Sequence, residues 1–267
     1  MLKIVICGAA GRMGRENICV FHDDNDVEIV GAIEMKQSNN IGRDAGIVAG
    51  IDKINIKITP VLEEVIERSH VVVDFTDPEA TMEHLITVKK YRKAVVIGTT
   101  GFSENHISLI KEYSKSMPVV LSPNMSQGVN ILFYLVKKAA QLFGEQYDIE
   151  ILEMHHNQKK DAPSGTAMQL GKIVAQARGK NLEDVGRFER HGVIGERKKG
   201  EIGISSLRLA DVIGDHSVIF GGPGERVEFI HRSTSRKNYA LGALRAAKFV
   251  TREKKGFFSL SDVLGLV

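Results

Sequence analysis

Tryptophan is absent from this chain of 267 residues, aromatic side chains make up 6% of it, and cysteine occurs only twice. Two cysteines cannot frame a disulfide-stapled fold, and Cys7 and Cys19 lack zinc-ligand spacing, so both read as plain buried thiols. Nowhere do apolar residues run for the ~18 positions a membrane span needs, which argues against a helical membrane protein. A secretory leader is missing as well. Met1, Leu2 and Lys3 pass straight into an apolar strand pattern, and the expectation is a cytoplasmic protein with no membrane partner. Charge of one sign is not in large excess, since 36 Lys and Arg face 33 Asp and Glu for a net +3. The cations do cluster, at Arg187, Arg190, Arg197, Lys198 and Lys199 and again at Arg232, Arg236 and Lys237. No aromatic stacking set or recognition-helix pattern accompanies them, which favours a solvated face or an anionic small-molecule pocket over nucleic acid.

What remains is an ordinary globular composition, 43% hydrophobic and 26% charged, in a chain long enough for about two domains. Short apolar runs at residues 3–7, 27–34, 71–74, 94–97 and 119–121 alternate with helical patterns at 12–22, 61–69, 79–91 and 104–116. This rhythm predicts a Rossmann-like, doubly wound parallel sheet, whose strands are apolar throughout because helices cover both faces. Beyond Pro123 the pattern changes. A helix at 127–143, a strand at 147–154 and a helix at 165–177 precede strand-like stretches at 202–209, 216–220 and 226–232. These later stretches read as antiparallel, with Gly221-Gly222-Pro223-Gly224 turning between the last two. The fold class expected is α/β. Residues 1–126 and 236–267 form a dinucleotide-binding domain, and residues 127–235 a second α+β domain with an open mixed sheet for substrate binding and oligomer contact. A closing helix at 238–250 sets Leu241, Leu244, Ala247 and Phe249 on an apolar side that packs back on the first domain.

Gly8-Ala9-Ala10-Gly11-Arg12-Met13-Gly14 follows the first strand and opens the first helix. Glycines there let the backbone turn tightly and approach a pyrophosphate, whose charge sits on the unpaired N–H groups and positive dipole end of the helix. Glycine alone punctuates many turns; the acid at the next strand end is what raises this motif above them. That acid is Glu34, 20 residues beyond Gly14, where a carboxylate can accept from both adenosine ribose hydroxyls. Such a carboxylate repels a 2′-phosphate, and Met35 follows it, with Lys36 one further on, so NADH is expected to be preferred with NADPH also used. The loops Asp74-Phe75-Thr76, Gly98-Thr99-Thr100-Gly101 and Ser122-Pro123-Asn124-Met125 follow later strands and fall at the same edge of the sheet. Gly98, Thr99, Thr100, Ser122, Pro123, Asn124 and Met125 are therefore candidates for the nicotinamide half. Asn124 could hold the carboxamide or link the domains, while Phe75 reads as packing.

The segment from Glu153 to Ala167 carries the second site: His155, His156 and Lys159 stand just ahead of a helix start. Ser164 is a natural N-cap, and the amides and hydroxyls of Ser164, Gly165 and Thr166 would cradle a carboxylate at the helix N-terminus. In an extended segment the two histidines point to opposite sides, so one can face a reacting carbon while the other grips a carboxylate. A metal-binding His-His pair is the competing reading. No Glu or Cys at helical or hairpin ligand spacing supports it, and no metal is expected.

Taken together these motifs resemble the dihydrodipicolinate reductases, also called 4-hydroxy-tetrahydrodipicolinate reductases. The resemblance spans the chain and rests on Gly8 to Gly14 with Arg12-Met13, on the three strand-end loops, and most specifically on His155 to Thr166. It implies a homotetramer built on the second domain's sheet, a cleft closing by hinge motion, and reduction of a cyclic dicarboxylic imine by NADH or NADPH on the route to diaminopimelate and lysine. His155 would then donate and accept the proton, Lys159 would be a second donor, and His156, Gly165 and Thr166 would touch the substrate. Many members carry Arg directly after the acid where this chain has Met35, which bears on NADPH binding and not on the reaction. Two other readings stay open: an amino-acid dehydrogenase sharing the cofactor domain, which the His-His-Lys stretch does not support, and a redox sensor that binds NAD without turnover and needs no Lys159.

Overall fold

Runs of β-branched residues, which suit a pleated buried surface, form the strands of the first unit. In the computed structural model, which describes residues 1–266, these are β1 (Leu2–Cys7), β2 (Val27–Ile33), β3 (Ile58–Thr59), β4 (Val71–Asp74), β5 (Ala94–Ile97), β6 (Pro118–Leu121) and β12 (Gly256–Phe258). They build one sheet in the order β12-β6-β5-β4-β1-β2-β3 with every pairing parallel. Alternate residues enter two separate cores: Ile4, Ile6, Val71 and Val73 face one, Val5, Cys7, Val72 and Val95 the other. That is why these strands lack the apolar-polar alternation of a half-exposed sheet. The crossovers run through α1 (Arg12–His22), α2 (Ala45–Ala49), α3 (Glu63–Ile66), α4 (Pro78–Lys90) and α5 (Glu104–Ser114), with α9 (Lys237–Val250) and α10 (Leu260–Leu264) closing the unit. Asp77 and Ser103 cap α4 and α5 through side-chain oxygens that accept from Ala80 and His106 amides.

Several expectations shift here. The helix read at 61–69 shrinks to α3, and β3 and β12 were not foreseen, because two or three residues carry no detectable period. In α9 the buried face is Ala240, Ala243, Leu244, Ala247 and Val250, while Leu241 is 42% exposed, so the apolar side is made chiefly of alanines that let the helix approach closely. Cys7 is buried but Cys19 is only partly so, its thiol donating to the Ala49 carbonyl.

The second unit, residues 128–235, sets α6 (Gln127–Leu142, entering from the first unit), α7 (Gly165–Ala177) and α8 (Leu182–Val185) with a sheet ordered β11-β10-β7-β9-β8. Its strands are β7 (Asp148–His155), β8 (Gly186–Arg187), β9 (Ile202–Arg208), β10 (Gly214–Gly222) and β11 (Glu225–Ser233). The stretch at 202–209 departs from the antiparallel expectation. β9 pairs parallel with β7, because α7 and α8 lie between them in sequence and carry the chain back over the sheet. The β10–β11 hairpin is antiparallel, with Gly222 opposite Glu225, so its two-residue turn is Pro223-Gly224, with Gly224 at φ +81. Among the described residues no helix is long and apolar enough to cross a membrane.

Candidate active site

In the first unit the strand ends shape a cradle that fits a dinucleotide. Gly8 adopts φ +76, and a Cβ there would lie 2.7 Å from the Phe75 carbonyl oxygen; a Cβ on Gly14 would lie 2.0 Å from the Gly8 carbonyl oxygen. The loop amides are largely spent internally. Those of Gly8 and Ala9 donate to the Ile33 carbonyl, that of Gly11 to the Gly8 carbonyl, and that of Ala10 to the Glu34 carboxylate at 2.9 Å. Gly8, Ala9, Ala10 and Gly11 thus serve by shape. The donors left for an anion are those that a helix start leaves without intrahelical acceptors, at Arg12 and Met13. Gly11 caps α1 with no side-chain bond and no acid stands in its first turn, so nothing negative competes for that end. Glu34 accepts from the Ala10 and Met35 amides, one on each oxygen, which pins the carboxylate at the loop while each oxygen keeps a lone pair for a ribose hydroxyl.

At the ends of β4 and β5 the structure shows a buried knot instead of open contacts. Oδ1 of Asp74 accepts from the Thr76 amide and from the hydroxyls of Thr76, Thr81 and Thr99, and Oδ2 lies 2.7 Å from His84 Nδ1. Thr99 therefore faces inward, whereas Thr100 is exposed. Gly98 lacks a Cβ for a packing reason: one would lie 2.2 Å from the Phe75 ring, which fits the packing role read for Phe75. Ser122 is buried with its hydroxyl donating to the Asn124 carbonyl, Asn124 Oδ1 accepts from the Ser126 amide, and Pro123 is exposed. Met125 is 2% exposed in the core, so its side chain does not reach the sheet edge. Cys7, Asp74 and His84 bring possible ligand atoms within 4.8 Å of one another. Burial pushes the Cys7 thiol well up, aided by Asp74, and both Asp74 oxygens are engaged by hydroxyls and by His84, so the group is held together as a hydrogen-bonded knot.

That knot sets a pH dependence. Burial alone would raise Asp74, yet His84 and the hydroxyls hold it below the usual carboxylate range; burial lowers His84, yet Asp74 raises it overall. A raised histidine contributes fully below its unfolded pKa of about 6.5, and the contribution is lost as pH rises through the folded value. His84→Gln is therefore expected to cost about 1–3 kcal/mol at mildly acidic pH and less in alkali, read from urea midpoints at about pH 6 and about pH 9. A constant difference across that range would contradict the charged pairing.

In the second unit, one face of the sheet is apolar at one end and polar at the other. Ile149 and Ile151 on β7 give way to Glu153 and His155; Ile202 and Ile204 on β9 give way to Ser206 and Arg208; Phe220 and Val218 on β10 give way to His216 and Gly214. Register brings the polar ends together, with Glu153 opposite Ser206 and His216, and His155 opposite Arg208. Glu153 has a fully buried side chain that accepts both terminal nitrogens of Arg208 at 3.0 Å, the Ser164 amide at 3.1 Å, and His155 Nδ1 at 2.5 Å. Burial lowers the His155 pKa, Glu153 opposes this, and Lys159 and Arg208 reinforce the lowering. His216, in edge contact with His155, is pushed down to about 3 by burial first and then by His155.

His156 follows the strand, and its carbonyl accepts the Lys159 amide. Lys159 Nζ bridges both oxygens of Asp161 at 2.8 and 2.9 Å; that partner is 66% exposed, so the pair is weak and a ligand carboxylate can replace it. Ser164 caps α7 as expected, its hydroxyl accepting from the Ala167 amide. Its role as a direct carboxylate contact is corrected: the amide goes to Glu153, the hydroxyl also meets His216 Nε2 at 2.9 Å, and the residue is 3% exposed. Gly165 and Thr166 remain at the helix start, and a Cβ on Gly165 would meet nothing within 4 Å. Glu153 and Arg208 were not foreseen as site residues. The available signal was a carboxylate at 153, continuing the alternation of Ile149 and Ile151, and an arginine at 208 on the same face as Ile202 and Ile204.

The basic segment at 187–199 is largely neutralised. Arg190 binds Glu150 and Glu201, which raises its pKa, and Arg197 binds Asp148 and Glu150, around an open cavity of about 640 Å³. With its principal cations paired, this cavity lacks the proton-handling groups found at His155.

Residues 2–125 match the family described as dihydrodipicolinate reductase, N-terminus, and residues 128–264 the family described as dihydrodipicolinate reductase, C-terminus. The 4-hydroxy-tetrahydrodipicolinate reductase of Syntrophus aciditrophicus is 45% identical over 265 residues, 99% of each chain, and that of Geotalea daltonii 43% identical over 266 residues, 100% of each. A dipicolinate-bound dihydrodipicolinate reductase from Paenisporosarcina sp. TG-14 superposes with a TM-score of 0.78 at 25% identity, covering 97% of each chain.

Proposed function

This chain belongs to the dihydrodipicolinate reductase family, and from that premise we propose that it reduces 4-hydroxy-tetrahydrodipicolinate, by way of dihydrodipicolinate, to tetrahydrodipicolinate for diaminopimelate and lysine synthesis. It is an NAD(P)H-dependent oxidoreductase acting on a small molecule. The observation that carries the reading is His155 held by a buried acid, with Lys159 near enough to oppose its protonation and α7 opening at Gly165. The Arg12 and Met13 amides would hold the dinucleotide by its pyrophosphate and Glu34 by its adenosine ribose, and the bound cofactor would supply a hydride to C4 of the conjugated imine after water has left that carbon. His156, Gly165 and Thr166 hold the substrate carboxylates, with the α7 N-terminus adding its dipole. Lys159 leaves Asp161 for a carboxylate and draws negative charge toward it. The dianion in turn favours the protonated His155 ring, whose Nε2 delivers the proton to C3.

The first experiment mixes the protein with NADH and substrate generated in place by the synthase from pyruvate and aspartate semialdehyde, and follows loss of reduced nicotinamide. Synthase-dependent oxidation is expected; none with either cofactor, despite cofactor binding, would favour the NAD-sensor reading.

NADH is the preferred cofactor in this proposal, because Glu34 sits on the loop and exposed Met35 supplies no cation for a 2′-phosphate. Met35→Arg is expected to raise kcat/KM for NADPH about tenfold or more with little change for NADH, since a charge-assisted bond contributes about 1.5–3 kcal/mol. A wild-type preference for NADPH would overturn this. The chain also acts as a homotetramer through the outer face of the second sheet, where Leu207, Leu209 and Ile230 are 43%, 55% and 47% exposed. Light scattering is expected to return the tetramer mass, and Ile230→Asp to lower it.

A further inference from the structure

Resting on the reading of His155 as the proton-handling group, we infer that Glu153, clamped by Arg208, is a positioning residue: it holds the proton on His155 Nδ1 and so leaves Nε2 as the atom that exchanges protons with substrate. The geometry is specific. Nδ1 lies 2.5 Å from a carboxylate that is itself fully buried, so a ring flipped to bring Nε2 onto Glu153 would have to break the shortest contact of the cluster. Gly214 makes the room: a Cβ there would lie 2.9 Å from His155 Nε2. The carboxylate cannot wander, since Arg208 grips both oxygens and the Ser164 amide takes one of them, tying the imidazole to the N-cap of α7.

Arg208 also decides the charge of the device. A lone buried carboxylate beside an imidazole would keep the ring permanently cationic. Here the guanidinium balances the acid, and the other titratable groups acting on the ring are Lys159, itself paired with Asp161, and His216 from β10, whose pKa is pushed down to about 3. Orientation is thereby separated from protonation. Glu153 chooses the tautomer, and the arrival of a dianionic substrate raises the ring's proton affinity at the moment it is needed.

Removing Glu153 alone leaves the partly buried Arg208, 22% exposed, without its carboxylate partner, which costs stability for reasons unrelated to the proposal. The decisive variant is Glu153→Leu/Arg208→Leu. It extends the isoleucine alternation of β7 and removes both charges together, and replacing a largely buried ion pair by apolar groups of similar size is often close to neutral. Glu153→Gln keeps a carbonyl acceptor and serves as the conservative partner. Thermal midpoint, dipicolinate binding, steady-state kinetics across pH and the ¹⁵N shifts of His155 are measured in the tetrameric enzyme.

In the wild type the ¹⁵N shifts are expected to show the Nδ1–H tautomer. In the double Leu variant they should move to a mixture, kcat should fall roughly ten- to a hundredfold with dipicolinate affinity changed less than about threefold, and the acidic limb of the kcat profile should move. Glu153→Gln should retain more kcat than the double variant. A wild-type Nε2–H tautomer, or a double Leu variant that keeps kcat, its pH profile and its ¹⁵N shifts, would overturn the inference. Loss of stability or KM with the tautomer and kcat intact would overturn it too, by reducing the pair to a strut. His155→Gln run beside them separates the two levels: if it retains full kcat, the proton role of His155 falls, while the tautomer measurement still decides what Glu153 does.

Discussion

On the proposed mechanism His155→Gln should lower kcat by about 10²–10⁴ without loss of cofactor or substrate-analogue binding, the range expected when one positioned acid-base group is lost. The physical basis is the way the structure holds the ring: 12% exposed, its pKa lowered by burial, with one nitrogen committed to Glu153. Glutamine fills similar space and can keep a hydrogen bond to the carboxylate, but it has no titratable nitrogen to offer the substrate. Lys159→Ala is expected to act differently. In the proposed reaction its ammonium meets substrate carboxylates in both ground and transition states, so KM should rise together with a fall in kcat. Stopped-flow single turnovers with prebound substrate would separate the two. Unchanged kcat in either variant, with binding intact, would remove that residue from the mechanism.

Gly14→Ala is expected to abolish useful cofactor binding, weakening the NADH Kd by roughly tenfold or more, and to destabilise the chain by about 1–3 kcal/mol. Alanine is normally better than glycine inside a helix by about 1 kcal/mol, so propensity alone predicts the opposite sign. The new methyl would lie 2.0 Å from the Gly8 carbonyl oxygen and 2.8 Å from Ala9 Cα, both backbone atoms of the loop proposed to approach the pyrophosphate. The start of α1 has to move, taking the Arg12 and Met13 amides with it. Gly165→Ala makes the contrast, because its added methyl meets nothing and its thermal midpoint should hold or rise. Fluorescence titration with NADH and a melting curve check both variants; wild-type affinity in Gly14→Ala would mean that the loop yields and that the close approach is not required.

Much of the cofactor half was legible because its signals are local. A strand, three glycines and an acid at the next strand end obey spacings set by the βαβ unit itself, and the structure does place Glu34 on the Ala10 amide. The side chains of Met125 and Thr99 turn inward, which leaves their main chain for any cofactor contact. Both lie in loops at the right edge, but whether a loop side chain points out or in depends on neighbours remote in sequence: the core of the unit for Met125, and Asp74 for Thr99. The same limit applies to Ser164, whose capping role follows from its place before Gly165, while the claims of Glu153 and His216 on its remaining groups come from strands 11 and 52 residues away.

By itself, then, the amino-acid order determined the alternation that makes a parallel sheet with two covered faces, the glycine-rich turn, the capped start of α7 and the segment that carries His155 and Lys159. These rest on periodicity and short-range chemistry, which a chain cannot hide. Tertiary structure alone decided that β9 runs parallel to β7, so that Arg208 arrives beside His155, and that β10 sets His216 opposite Glu153. Strand register is a cooperative property of the packed sheet: a shift of one residue would turn Glu153 and His155 to the other face, and only the burial of Ile149, Ile151, Ile202 and Ile204 forbids it. The protonation and orientation of the central histidine follow from that register, which is why they emerge from the fold and not from the motif.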